Sequence, residues 1–134
     1  MEELAAGLSR TERFTVDRPR TIDFMGEECR VYATPELVRD VEMCARALIL
    51  EHIAEGQDSV GTRVAIEHLA ATPLGMAVEI TVRIREVEGR RVRLEVEGRD
   101  ALDAIVRGSH ERFVVDVERT AERLRAKRDR AGSG

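Results

Sequence analysis

Aromatic side chains make up only 3% of the 134 residues. The chain therefore has no supply of flat surfaces on which successive nucleobases could stack. Basic charge is not in excess either. Lys and Arg number 22 against 26 Asp and Glu, for a formal net charge of −4, which argues against a general nucleic-acid binder. Cysteine is scarce. Cys29 and Cys44 are too few for a disulfide framework or a metal quartet, and they read as reduced thiols of a cytoplasmic protein. No apolar run approaches the length of a membrane span. The opening MEELAAGLSRTER lacks the basic stretch and apolar run of a signal peptide. Phosphate-loop, GxGxxG, HExxH and CxxC patterns are all missing, so neither a metal nor a cofactor is expected.

What is present suits one soluble domain spanning residues 1–134, with loose ends at 1–10 and 131–134. Hydrophobic residues are 43% of the chain and charged residues 36%, enough for a core with a well-solvated exterior. RFTVD (13–17) alternates and reads as an opening strand. The following stretch, with Pro19 and Gly26, reads as an irregular covering segment. A helix is then expected from Pro35 to Ala54. Thr34 would be its N-cap, Pro35 its first residue and Gly56 its stop. Its apolar stripe is Val38, Val41, Ala45, Leu48, Ile49 and Ile53, at helical spacing.

After the helix the period falls from 3.6 to 2. Val60, Thr62, Val64, Ile66 and His68 alternate with polar or small residues, as do Met76, Val78, Ile80, Val82 and Ile84. Pro73–Gly75 is a turn and Glu88-Gly89-Arg90 a hairpin. Val92, Leu94 and Val96 form a further inward face, and a last strand runs from Ala104 to Val117 before a charged, exposed helix. Short links throughout imply an antiparallel sheet. The long helix is the one large apolar partner for that sheet, which gives an α+β arrangement.

Several residues could carry chemistry. Glu42 borders the buried stripe, where a carboxylate costs free energy unless it is paired or reaches solvent. His68 shares its parity with Val64 and Ile66. It is either a core histidine bonded to a backbone carbonyl or, if it meets Glu42, a catalyst. Thr34 caps the helix and could also orient a water or an anion. Gly61 interrupts a strand, where close backbone approach is the usual reason. Arg112 shares a face with His110, Val106, Gly108 and Val114. It could hold a carboxylate or phosphate, or simply pair with a strand carboxylate such as Glu79. His52 reads as an edge residue. Cys44 lacks a local base and reads as a small buried hydrophobe.

The segments ATPELVRDVEMCA, GTRVAIEHLAATPLGM, VEGRRVRLEVEGRD and GSHERFVV, in that order, resemble the hotdog-fold thioesterases of the fluoroacetyl-CoA thioesterase type. The resemblance runs from about Arg13 to the start of the last helix. It implies a hotdog fold, a long central helix wrapped by a curved antiparallel β-sheet, in homodimers that could pair into tetramers, with the sites at the dimer interface. It also implies that Thr34, Glu42 and His68 are catalytic and that Gly61 and Arg112 lie at the substrate. The covering segment TIDFMGEECRVYA offers Phe24 and Tyr32 in a register unlike that of fluoroacetate-selective members, which points to a broader acyl-CoA substrate range.

The expected chemistry is hydrolysis of an acyl-CoA thioester. Glu42 would be base or nucleophile, His68 would orient the site and shuttle the proton, and Thr34 would bond Glu42 or the water. The Gly61 N–H would receive the oxyanion. Three alternatives stand beside it: an enoyl-CoA hydratase, a non-catalytic acyl-CoA or small-ligand binding dimer, and a dimerisation module in which Glu42 and His68 form an inert pair.

Overall fold

The computed structural model describes residues 3–133. In chain order the elements are β1 (Ser9–Thr15), α1 (Thr34–Leu50), β2 (Gln57–His68), β3 (Ala77–Glu88), β4 (Arg91–Arg99), β5 (Ala104–Asp116) and α2 (Val117–Ser133). The five strands form one antiparallel sheet in the order β1-β3-β4-β5-β2. Helix α1 lies on its inner face, the α+β hotdog arrangement. β1 starts at Ser9 and α2 continues to Ser133, so both terminal elements reach into the segments expected to be loose. Residues 1, 2 and 134, also expected to be loose, lie outside the described residues.

The core follows from the two periods. Alternation in β3 and β4 buries Val78, Ile80, Val82 and Ile84 with Val92, Leu94 and Val96. Leu37, Val41, Cys44, Ala45, Leu48 and Ile49 of α1 meet them, at the i, i+3, i+4 spacing of one helical face. Cys44 is fully buried among them, and burial pushes its thiol up to about 12, in keeping with a packing role.

Three local expectations are corrected. First, α1 ends at Leu50, four residues before Ala54. Glu51 N–H donates to Leu48 O and His52 N–H to Ile49 O, the three-residue bonding that tightens a helix end, and Gly56 at φ 84° reverses the chain. Second, Thr34 is the first helical residue and Ala33 occupies the cap position, with no side-chain cap. Third, the links are not all hairpins. β2 pairs with β5 and β1 with β3, so the chain crosses one end of the sheet between β2 and β3. This leaves β2 as an edge strand with one side unpaired.

β2 also departs from simple alternation. Its register against β5 shifts between Gly61 and Arg63, a β-bulge that absorbs Thr62 and flips the parity upstream. Val64, Ile66 and His68 do share one face, opposite His110, Gly108 and Val106. Upstream of the bulge that face carries Ser59 and Gly61, not Val60 and Thr62. Ser59 is buried, whereas Val60 is 45% exposed.

Candidate active site

The missing side-chain cap leaves the Thr34 hydroxyl free for another partner. Ala33 supplies the cap with its carbonyl, which accepts from Leu37 N–H at 3.0 Å. The Thr34 hydroxyl shares a 2.8 Å hydrogen bond with Nδ1 of His68, the last residue of β2. The edge of the Tyr32 ring meets the imidazole at 83°, with centroids 6.2 Å apart. Nε2 of His68 is buried and has no partner among the described residues. Burial lowers the imidazole's pKa below its ordinary value, which keeps it neutral near pH 7 and able to accept a proton. The pair opens on a cavity of about 360 Å³ whose apolar wall includes Ile22, Val31, Tyr32, Ala70 and Ala71. Two hollows of about 430 and 410 Å³ lie elsewhere along the sheet around Glu79 and Arg99, but no histidine, cysteine or serine lines them.

Glu42 lies in a different place. Its carboxylate faces Gly61, where a Cβ on the glycine would come within 2.2 Å of Oε1. Only a residue without a side chain admits the carboxylate there. Nη1 of Arg112 stands 3.8 Å from the same oxygen. The rest of the Arg112 fork is engaged: Nε donates to Ser59 Oγ at 2.8 Å and Nη2 to Ser59 O at 2.7 Å. Arg112 is 5% exposed, and its partners are Ser59, His110 and Glu42; Glu79 pairs instead with Arg13. The Glu42 side chain keeps 38% exposure, so one side of the carboxylate faces outward.

Within one chain, then, Thr34 meets His68, while Glu42 meets Gly61 and Arg112. The expected contact between Glu42 and His68 is absent among the described residues. Thr34 and Glu42 are separated by about 12 Å of helical rise. Gly61 and His68 are separated by about 20 Å of strand. The pKa of His68 responds to burial alone, with no contribution from a carboxylate.

A third cluster escaped the sequence reading. Asp40 is 4% exposed and accepts a bidentate pair from Arg20 at 2.8 and 3.1 Å, together with the Tyr32 hydroxyl. The interaction clasps the covering segment onto α1 and seats Tyr32 beside His68. The signal was available: Asp40 falls at helical spacing between Leu37 and Cys44, where a carboxylate must find a cation or a donor.

His110 is also buried, at 1% exposure. Burial and the neighbouring Arg112 lower its pKa, against an opposing hydrogen bond to Arg63 and the charge of Glu42. Both His68 and His110 thus bind protons less readily in the folded chain. An unfolded imidazole takes up its proton near pH 6.5. Below that value the unfolded chain holds more protons, so stability falls as pH drops toward the folded pKa values and is fully retained above about 6.5. The urea midpoint at pH 5.5 is expected to lie below that at pH 7.5. An unchanged midpoint would contradict neutral, buried imidazoles.

Among the described residues no group of three or more His, Cys, Asp or Glu side chains could hold a metal ion, and no helix is long and apolar enough to cross a membrane. Against known proteins, residues 16–118 match the family model of fluoroacetyl-CoA-specific thioesterases. The fluoroacetyl-CoA thioesterase of Streptantibioticus cattleyicolor is 35% identical over 134 residues, covering 90% of this chain and 95% of that protein. A solved structure of a fluoroacetyl-CoA thioesterase superimposes with a TM-score of 0.85 at 31% identity, covering 94% of this chain and 98% of that one. A thioesterase superfamily member from Thermus thermophilus gives a TM-score of 0.89 at 28% identity, covering 100% of each chain. Variants of the fluoroacetyl-CoA thioesterase have been crystallised with acetyl-CoA and with fluoroacetate and CoA.

Proposed function

This chain belongs to the fluoroacetyl-CoA-specific thioesterase family and hydrolyses an acyl-CoA thioester; we propose that it does so as a homodimer with two composite sites. Each site takes Thr34 and His68 from one subunit and Glu42 and Gly61 from the other. The observation that carries this reading is the orphaned Nε2 of His68. It is buried beside a cavity, its ring is held by Thr34 and Tyr32, and no group among the described residues completes it. Glu42 is the complementary fragment, a carboxylate seated on a glycine with an outward-facing side. The unpaired edge of β2, which carries the exposed Val60, offers a surface on which a second copy can seat. An open strand edge is a template for such pairing.

The geometry then divides the reaction. The acyl group enters the cavity beside Tyr32 and places its carbonyl carbon between the two half-sites. Glu42 takes a proton from water, or attacks the carbonyl itself, and the Gly61 N–H receives the developing oxyanion. Collapse expels the CoA thiolate, giving the free acid directly when water attacks, or a Glu42 mixed anhydride that water then hydrolyses when the carboxylate attacks. Neutral His68, oriented by Thr34, carries the proton between carboxylate, water and leaving group. A single turnover in ¹⁸O-labelled water separates the two roles of Glu42: with Glu42 as base the acid product gains one ¹⁸O, whereas direct attack followed by hydrolysis of the anhydride at the Glu42 carbonyl leaves the product unlabelled and puts the ¹⁸O in Glu42.

The cavity wall of Ile22, Val31, Ala70 and Ala71 is apolar, and Phe24 is 77% exposed and does not line it. We therefore assign a broader acyl range than fluoroacetyl alone. Thiol release from a panel of acyl-CoAs, short to long and including fluoroacetyl-CoA, tests this. Turnover of several short acyl groups supports it, and turnover of fluoroacetyl-CoA alone contradicts the breadth. Consumption of crotonyl-CoA without thiol release would move the assignment to hydration.

A further inference from the structure

One buried chain of hydrogen bonds has no part in the chemistry above. Nδ1 of His110 lies 2.8 Å from the carbonyl oxygen of Arg63. A carbonyl only accepts, so Nδ1 carries the hydrogen and donates. Nε2 of the same ring lies 3.3 Å from Nη1 of Arg112. A guanidinium only donates, so Nε2 accepts. The two partners fix one tautomer of a neutral imidazole. Arg112 in turn grips Ser59 twice, through Oγ and the main-chain carbonyl.

The placement of these contacts on β2 is informative. Ser59 and Arg63 flank Gly61 and the bulge at Thr62. Arg112 anchors the strand before the bulge and His110 anchors it after. Cε1 of His110 would lie 3.3 Å from a Cβ at Gly61, so the ring also forms the floor beneath the glycine. The same Nη1 that donates to His110 is the nearest cationic atom to Glu42, at 3.8 Å.

We propose that His110 is a positioning residue: with Arg112 it brackets the β2 bulge and thereby fixes the Gly61 main chain and the Glu42 carboxylate in reactive register. The inference rests on the role given to Glu42 above. A bulge is a local loss of ladder pairing, and a catalytic donor placed on one needs support from elsewhere. β5 supplies that support through two side chains. Protonation of His110 turns Nε2 into a donor facing Arg112, a second donor and a cation. Glu42 and Glu111 are the acidic groups that also act on the ring. Acid therefore opens the bracket, and kcat falls with it.

The test compares three variants with wild type and with Glu42→Gln. His110→Gln places an amide oxygen near the Nε2 position and keeps an acceptor for Arg112. His110→Asn keeps only a donor near Nδ1, and His110→Phe keeps neither. His110→Phe is expected to lower kcat by as much as ~10²-fold, the scale of a small misplacement of reacting groups. KM for acyl-CoA should stay near wild type, and His110→Gln should recover part of the loss. Because one of the two groups that His110 positions is Glu42, the loss in the double variant His110→Phe/Glu42→Gln should be smaller than the product of the two single losses.

A slow Glu42→Gln beside a folded His110→Phe with wild-type kcat overturns this proposal and leaves the function standing. Additive losses in the double variant also overturn it. Wild-type activity in Glu42→Gln removes both. Should the variants fail to fold, the imidazole ¹⁵N spectrum of the wild-type protein decides. The Nδ1-protonated tautomer of His110 at neutral pH is expected, and the Nε2-protonated tautomer overturns the bracket.

Discussion

Glu42→Gln is expected to lower kcat for acyl-CoA hydrolysis by ~10²–10⁴-fold, the usual cost of losing a positioned base. The substitution keeps the size and shape of the side chain. It removes the negative charge and with it the basicity needed to take the water's proton. Stability should change little, because the Glu42 side chain is 38% exposed and its approach to Arg112 is long at 3.8 Å, a weak, partly screened pair. KM should also hold, since Glu42 acts on the water and makes no claim on the CoA portion. The check is steady-state thiol release beside a thermal melt. Wild-type kcat in a folded Glu42→Gln protein would remove Glu42 from the chemistry and leave the Thr34–His68 pair without its carboxylate.

Gly61→Ala is expected to be nearly as damaging for a different reason. The added methyl would stand 2.2 Å from Oε1 of Glu42 and 3.3 Å from Cε1 of His110. The carboxylate is the end of a flexible side chain and can swing away, so folding should be nearly unaffected. Swinging away is what the reaction cannot tolerate. A displacement on the order of 1 Å can cost ~10²-fold in rate. The expected pattern is a large fall in kcat with a melting temperature close to wild type. Full activity would show that the carboxylate does not work from its place on Gly61.

Much of this arrangement is legible in the residues because it repeats with a period. The stripe of α1, with Val41, Ala45, Leu48 and Ile49, follows from helical spacing, and all four are buried. The alternation of β3 and β4 likewise marks Ile80, Val82, Leu94 and Val96 as inward. What is not periodic is harder to read. Strand order depends on pairings distant in the chain, and no local signal says that β2 passes over β3 to reach β5. The bulge beside Gly61 inserts one residue and reverses parity, so a strict two-residue count places Val60 inward where the fold places Ser59.

The site shows the same division. Thr34 and His68 draw attention as a hydroxyl at a helix start and an imidazole at a strand end, and the fold joins them at 2.8 Å. Local sequence favours Thr34 as a cap, and the local geometry overrides it, since Ala33 takes the cap position. Glu42 meets Gly61 because helix and strand cross there, which neither segment encodes alone. Asp40 is hard to read in sequence because its partners Arg20 and Tyr32 lie outside the helix and meet it only in the fold.

The composite site is the central claim, and subunit complementation tests it most directly. Glu42→Gln and His68→Ala chains, each inactive alone, are co-expressed with different tags, and the heterodimer is purified through both. If each site draws Glu42 from one subunit and His68 from the other, the twofold arrangement gathers both substitutions into one site and leaves the second intact. The heterodimer should then recover about half the wild-type activity per dimer. A heterodimer as inactive as its parents would place both residues of each site in one chain, and the division of labour between the subunits would be wrong.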